Sequence, residues 1–343
     1  MQQYLDLVKT VLTEGKYKSN RTGVGTLSIF ADTRKYDLEN GFPILTTKDV
    51  GKGRWNSVVR EFLWYLTGEN HIRNLTKHTK IWGAWADEKG NLETAYGRFW
   101  RRFPIPEQGL EGEAWADGNC PWVKRESEGL VLDQVKYVID TLKEDPNSRR
   151  MVVNAWHPGN ATVSKLPPCH YTFVVDVLDG KVNVHMTQRS ADIALGVPFN
   201  IIHQGFWVVL FAREAGLKPG IFAHTLIDAH EYCGDGKRGE FYRIHIDQLR
   251  EKVLDVKEEG DYLEIRNWIL REAPTEGDII DNIKTGHIPG FDHIPGLLEQ
   301  LSREPRPLPK LTIADKPLDE LVFDDFKLEG YNPHPGIKFG IAV

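Results

Sequence analysis

The chain of 343 residues is long enough for one large domain or two ordinary ones, and 41% hydrophobic with 27% charged residues describes a globular protein rather than a disordered or fibrous one. A formal net charge of −6 excludes the general basic field that nucleic acid or a membrane surface requires, although a local arginine cluster can still hold a small anion. Cys120, Cys169 and Cys233, odd in number and widely spaced, give neither a disulfide framework nor a metal-ligand pattern, and point to a reducing, cytoplasmic setting.

The N-terminal MQQYLDLVKTVLTEGK reads as an amphipathic helix over 2–15, and no apolar run has the length of a signal segment or a membrane span. No linker or repeat divides the chain, so one domain over 1–343 is expected. Residues 20–38 read as a turn followed by strands. WNSVVREFLWYLTG (55–68) has apolar residues at core-facing helical spacing and ends at Gly68, with Glu61 as the anomaly among them. Residues 103–130 read as an irregular insertion. A helix over 131–143 leads through EDPNSRR into the strand MVVNAW, then come two strands flanking Leu178-Asp179-Gly180 and an apolar helix over 201–216. Residues 236–291, rich in Lys, Glu, Asp and Gly, read as a second, external insertion. Helices alternating with hairpin-linked strands predict an α+β fold with a mixed, largely antiparallel sheet packed by helices.

LPPCHYTFVVDV (166–177) carries a cysteine at the mouth of a strand, where it is either a small buried residue or a nucleophile. A hairpin turn centred near Asp179 puts Cys169 opposite Arg189, give or take one register step. A guanidinium there lowers the thiol pKa and offers a bidentate anchor for a phosphate; a salt bridge to Asp176 or Asp192 is its structural alternative. Asn200 suits a helix N-cap, yet its amide also matches the N3–H and O4 edge of a uracil. Glu61, with Val58 and Tyr65 at i−3 and i+4, is placed to move protons through a bound water unless an ordinary ion pair occupies it. His230 and Tyr232, two apart in a strand, share a face that suits a sugar hydroxyl or plain packing. Ser148-Arg149-Arg150 forms a second basic element or a solvated turn.

The runs PPCH (167–170), TQRSADIALGVPFN (187–200) and DAHEY (228–232) together resemble the folate-dependent thymidylate synthases. The likeness extends through KSNRTGVGTLSIF (18–30), EFLWYLTGEN (61–70), IWGAWADEKGNL (81–92), AYGRFWR (95–101) and the tail YNPHPGIKFGIAV (331–343). It implies reductive methylation of dUMP to dTMP with 5,10-methylenetetrahydrofolate as co-substrate and no metal. Cys169 would add to C6 of the uracil, with Glu61, Tyr96 and His170 serving the proton transfers. Arg21, Gln188, Arg189 and Ser190 would bind the nucleotide, Asn200 its base, and His230 with Tyr232 its 3′-hydroxyl. Asp192 would hydrogen-bond the pterin, and Ile81, Trp82, Trp85, Leu166, Gly196, Phe199, Ala342 and Val343 would pack around the folate. The family is a homodimer across its sheet faces, so Arg149 and Arg150 would reach the partner's phosphate.

Val174, the IIHQG run after Asn200, Ile227 and the FGIAV ending depart from the family pattern and are expected beside the nucleotide or under the folate. They keep open a dUMP hydroxymethyltransferase, in which water quenches the methylene intermediate. Asn200 argues against a cytosine substrate, whose donor N4 and acceptor N3 reverse the uracil pattern. A non-catalytic nucleotide- or RNA-binding relative is the distant alternative.

Overall fold

The computed structural model describes residues 1–343 except 52, 108–119, 128, 276–278, 283–285 and 343, with side chains also omitted at 163, 279–282 and 286–289. In chain order the strands that matter here are β1 Lys16–Lys18, β2 Thr26–Asp37, β3 Phe103–Ile105, β4 Val123–Glu126, β5 Gly129–Leu132, β6 Val152–Asn154, β7 His170–Leu178, β8 Lys181–Gln188, β9 Ala191–Asp192 and β10 Lys218–Tyr232. The central sheet runs β1-β2-β10-β8-β7-β6 with β9 beside β10. Only the β8–β10 and β9–β10 pairings are parallel, so the expected mixed, largely antiparallel sheet is present. Strands β3, β5 and β4 form a small antiparallel sheet in a stretch expected to be irregular.

The β7–β8 hairpin turns on Asp179 and Gly180, both at positive φ (52° and 71°), the two-residue geometry that matches strand twist. Its pairs from Leu178↔Lys181 up to Thr172↔Thr187 sum to 359, which alone would set Cys169 against residue 190. A bulge between His170 and Thr172 absorbs one residue, and the Arg189 N–H donates to the Cys169 carbonyl at 2.9 Å. The expected pairing of 169 with 189 is therefore met, by way of a bulge.

Helices Gln2–Glu14, Gly196–Ala215 and Ile294–Leu301 cover one face of the sheet region. Gly196–Ala215 is apolar nearly all round and buried along most of its length, as such a helix must be. It begins at Gly196, five residues earlier than expected. The helix expected from 131 starts at Gln134, because 130–132 pair with β3 and β4 and Asp133 caps the first turn by accepting from the Lys136 N–H. Helices Gly236–Leu254 and Asp261–Glu272 pack mainly on helices, and buried Arg238 ties them inward through Asp292 at 2.7 Å and the Ala273 and Pro274 carbonyls. The opposite sheet face is open, with Phe30 84% exposed and Val152 also exposed.

Helix Arg54–Thr67 carries Glu61 on its buried side and ends at Gly68 in the left-handed conformation. Helix Tyr96–Arg101 lies against it so closely that a Cβ on Gly97 would sit 2.1 Å from the Tyr65 carbonyl oxygen. That approach brings Tyr96 to within 5.5 Å of Tyr65, ring to ring. Gly97→Ala should therefore destabilise the protein by about 1–3 kcal/mol, read from the urea midpoint. An unshifted midpoint would mean that the two helices separate freely.

Candidate active site

A cavity of about 340 Å³ opens where the ends of β7, β8, β9 and β10 meet helices Arg54–Thr67 and Gly196–Ala215. A larger one of about 580 Å³ lies on the reverse of Arg54–Thr67 but carries no thiol, so size does not select the site. The smaller cavity gathers Cys169, Glu61, Tyr96, His170, Asp192 and Asn200 from segments spread over 140 residues.

Cys169 ends the Pro167-Pro168 segment and is partly buried. Arg189 holds this segment: its Nε donates to the Pro168 carbonyl at 3.1 Å, its Nη2 to the Pro167 carbonyl at 2.7 Å, and Nη2 lies 3.9 Å from the Cys169 sulfur. No salt bridge to Asp176 or Asp192 forms, and Nη1 has no partner among the described residues. The thiol pKa differs from expectation: burial pushes it up, and the pull of Arg189, Tyr96 and Arg21 the other way does not overcome that.

The Cys169 N–H donates to the Tyr96 hydroxyl oxygen at 2.9 Å, which holds the phenol beside the thiol. Tyr96 stacks on His170 with centroids 3.7 Å apart, and burial drives the His170 pKa far below its usual value, so the ring is neutral. Glu61 is buried and makes no pair with Lys or Arg; its Oε1 accepts from the Tyr65 hydroxyl at 2.7 Å and from Trp82 Nε1 at 2.6 Å. Its Oε2 lies 3.5 Å from His203 Nε2. His203 also lines the cavity and escaped the sequence reading, although it sits three residues past Asn200, on the same helix face, within the flagged IIHQG run.

Asn200 lies in the second turn of its helix, which Leu195 caps, so the capping role is excluded. Its side-chain amide has no hydrogen bond among the described residues and faces the cavity. Asp192 Oδ1 accepts from the Ala194 and Leu195 N–H groups at 2.9 and 3.1 Å, which fixes the carboxylate at the cavity wall. Gln188 reaches the wall with its amide already engaged by His224 and the Ser190 carbonyl, both at 2.9 Å. His230 Nδ1 donates to the Asp228 carbonyl at 3.0 Å, so Nε2 is the ring nitrogen left for a ligand, and the Tyr232 ring stands 5.4 Å away, its pKa pushed up to about 12 by burial.

Arg21 and Ser190 border the same cavity. Arg149 and Arg150 do not: both are exposed and absent from its lining. Ile81, Trp82, Trp85 and Leu166 form an apolar wall with Gly196, Phe199 and Ala342; Val343 lies outside the described residues. The tail reaches this wall because His293 Nε2 donates to the Gly340 carbonyl at 2.9 Å and Phe339 packs 4.6 Å from Lys48 Nζ. Val174 and Ile227, expected beside the nucleotide, do not line the cavity. They belong to β7 and β10 positions whose side chains alternate away from it.

The thymidylate synthase family model matches residues 2–343. The chain belongs to the thymidylate synthase family. A curated thymidylate synthase from Haloferax volcanii is 52% identical over 337 residues, covering 98% of this chain and 95% of the relative. A thymidylate synthase fold thus frames a site in which a thiol, an arginine and an unpaired amide converge. No helix among the described residues is long and apolar enough to cross a membrane.

The balance at Cys169 has a measurable consequence. Arg189→Met removes the nearest positive charge, so the thiol pKa should rise by about one unit and alkylation of Cys169 by iodoacetamide at pH 8 should slow about tenfold. Peptide mass spectrometry distinguishes Cys169 from Cys233, whose thiol is buried with its pKa driven well up. A rate equal to that of the unmodified protein would remove the guanidinium from the thiol's electrostatics.

Proposed function

We infer that the chain methylates dUMP reductively to dTMP, with 5,10-methylenetetrahydrofolate giving both the one-carbon unit and the hydride. The observation that carries this reading is the convergence of Cys169, Arg21 and the unpaired amide of Asn200 on one cavity beside an apolar aromatic wall, with Arg189, outside the lining itself, 3.9 Å from the sulfur. The wall suits a pterin and its aryl tail, and the fixed carboxylate of Asp192 suits a pterin N–H.

In this reading the Cys169 sulfur adds to C6 of the uracil as its proton leaves, and C5 becomes the nucleophile that attacks the folate methylene carbon. Charge that develops at O4 is stabilised by donors at the base edge, with the Asn200 amide matching the N3–H and O4 pattern. Loss of the C5 proton releases tetrahydrofolate and leaves an exocyclic methylene. Hydride from the folate reduces it, dihydrofolate forms, and the sulfur departs from C6. Glu61 serves these proton movements through water, with Tyr96 and His170 lining its path. Arg21, Arg189 and Ser190 take the phosphate, Arg189 through its uncommitted Nη1, and His230 Nε2 with the Tyr232 hydroxyl takes the 3′-hydroxyl.

The open sheet face with Phe30 and Val152 supports a homodimer, in which Arg149 and Arg150 extend to the partner's phosphate. The stretches 103–130 and 236–291 are accretions on this catalytic domain. Hydroxymethylation is disfavoured because both the family model and the 52% identical relative are thymidylate synthases.

Cys169→Ala should abolish dTMP formation from dUMP and methylenetetrahydrofolate and leave dUMP affinity within a few-fold; residual normal turnover would refute the nucleophile. Mass spectrometry of the product, with dihydrofolate followed optically, separates dTMP plus dihydrofolate from hydroxymethyl-dUMP plus tetrahydrofolate. Asn200→Asp should move acceptance towards dCMP, since a protonated carboxyl offers the reversed donor–acceptor pattern. An unchanged preference would place base recognition elsewhere.

A further inference from the structure

Glu61 meets the cavity with two unlike oxygens. Oε1 is saturated by the Tyr65 hydroxyl and the Trp82 indole N–H. Among the described residues Oε2 has only His203 as a polar neighbour, with Nε2 at 3.5 Å. His203 Nε2 also lies 3.0 Å from the Val58 carbonyl oxygen, which can only accept, so the ring proton resides on Nε2. Burial lowers the His203 pKa, and the ring is neutral. One N–H therefore stands between a backbone carbonyl, which always accepts it, and a carboxylate oxygen, which attracts it more strongly when charged.

We propose that His203 is a positioning residue for Glu61: its Nε2–H is a shared donor that leans towards Oε2 when Glu61 is ionised and returns to the Val58 carbonyl when Glu61 is protonated. The donor stabilises the carboxylate and keeps Oε2, rather than the doubly bonded Oε1, as the oxygen that exchanges protons with cavity water. The anchor is rigid on both sides. His203 packs on Phe62 and Tyr65 of the Glu61 helix at ring distances of 5.8 and 5.6 Å, and its own helix carries Asn200 one turn away. The other titratable groups around the pair are Tyr65, Tyr96 of helix Tyr96–Arg101 and His170 of β7; the tyrosines are held un-ionised by burial and the histidine neutral. None of them replaces the His203 donor at Oε2.

This inference rests on the proposed role of Glu61 in proton transfer, and its test separates the two. First, tritium release from [5-³H]dUMP by the unmodified enzyme and its loss in Glu61→Gln check the role of Glu61 itself. Then His203→Phe, which keeps a ring but removes the donor, should raise the acid limb of the kcat/KM profile by about one pH unit and cut tritium release about tenfold at pH values well below that limb. The sign follows from the charge: without the donor the carboxylate is less stable, its pKa rises, and the ionised form is lost at higher pH. His203→Gln, which restores an N–H, should return the limb towards its original position. Because loss of packing alone would lower activity evenly across pH, a uniform drop in both variants, or a limb that stays in place while Glu61→Gln is inactive, would overturn the proposal. If Glu61→Gln retains full tritium release, the role of Glu61 fails instead, and that of His203 with it.

Discussion

The guanidinium of Arg189 is the interaction on which the site depends. It gives two of its N–H groups to the carbonyls of Pro167 and Pro168, and its backbone N–H to that of Cys169. Neither proline can donate to a strand ladder, so without this side chain the segment before β7 would have carbonyls facing a cavity with no partner. The same group supplies the positive charge nearest the sulfur. Arg189 thus couples geometry to reactivity: one side chain sets where the sulfur stands and how easily it ionises.

Burial acts against that charge throughout the cavity. It raises the Cys169 thiol and the Tyr96 and Tyr232 phenols, and it lowers His170 and His203, so every one of these groups is held in its neutral form. Groups held neutral by burial have less hydration to lose to an incoming ligand than charged ones would. Two carboxyl groups in the lining have defined partners instead, Glu61 under two side-chain donors and Asp192 under two backbone N–H groups.

The hairpin and its chemistry were legible from a turn signal and a sum of residue numbers, because strand pairing is arithmetic once the turn is placed. The bulge that shifts the sum by one was not, since nothing local in CHYT marks which residue will go unpaired. Glu61 was legible as a charge on an apolar stripe, and the helical spacing correctly named Tyr65 as its neighbour. His203 was not, because its partner lies on another helix 142 positions away in sequence and periodicity says nothing of which helices meet. The choice for Asn200 between cap and base reader stays open in sequence because Gly196 and Pro198 argue by propensity against an earlier helix start, and packing of the apolar face overrides them. The departures at Val174 and Ile227 were placed at the site by proximity to Cys169 and His230 in sequence. Strand alternation sends the next residue to the opposite face, where they belong to the open side of the sheet.

The tail is joined to this neutral interior by the same logic. Lys48 is buried, with its pKa lowered to about 7 by desolvation, and its ammonium is compensated by the Ala194 carbonyl at 2.5 Å and the Phe339 ring face at 4.6 Å. His293, also held neutral by burial, donates to the Gly340 carbonyl from the other side. Ala194 belongs to the loop fixed by Asp192, so the seat of the tail and the Asp192 carboxylate at the cavity wall share one backbone segment. Lifting Phe339 would open Lys48 to water and restore its ordinary basicity, and the charged form would then favour the open seat. Seating Phe339 over the ammonium therefore keeps water from Lys48, and the desolvated Lys48 in turn loses less hydration to the apolar tail than a solvated one would.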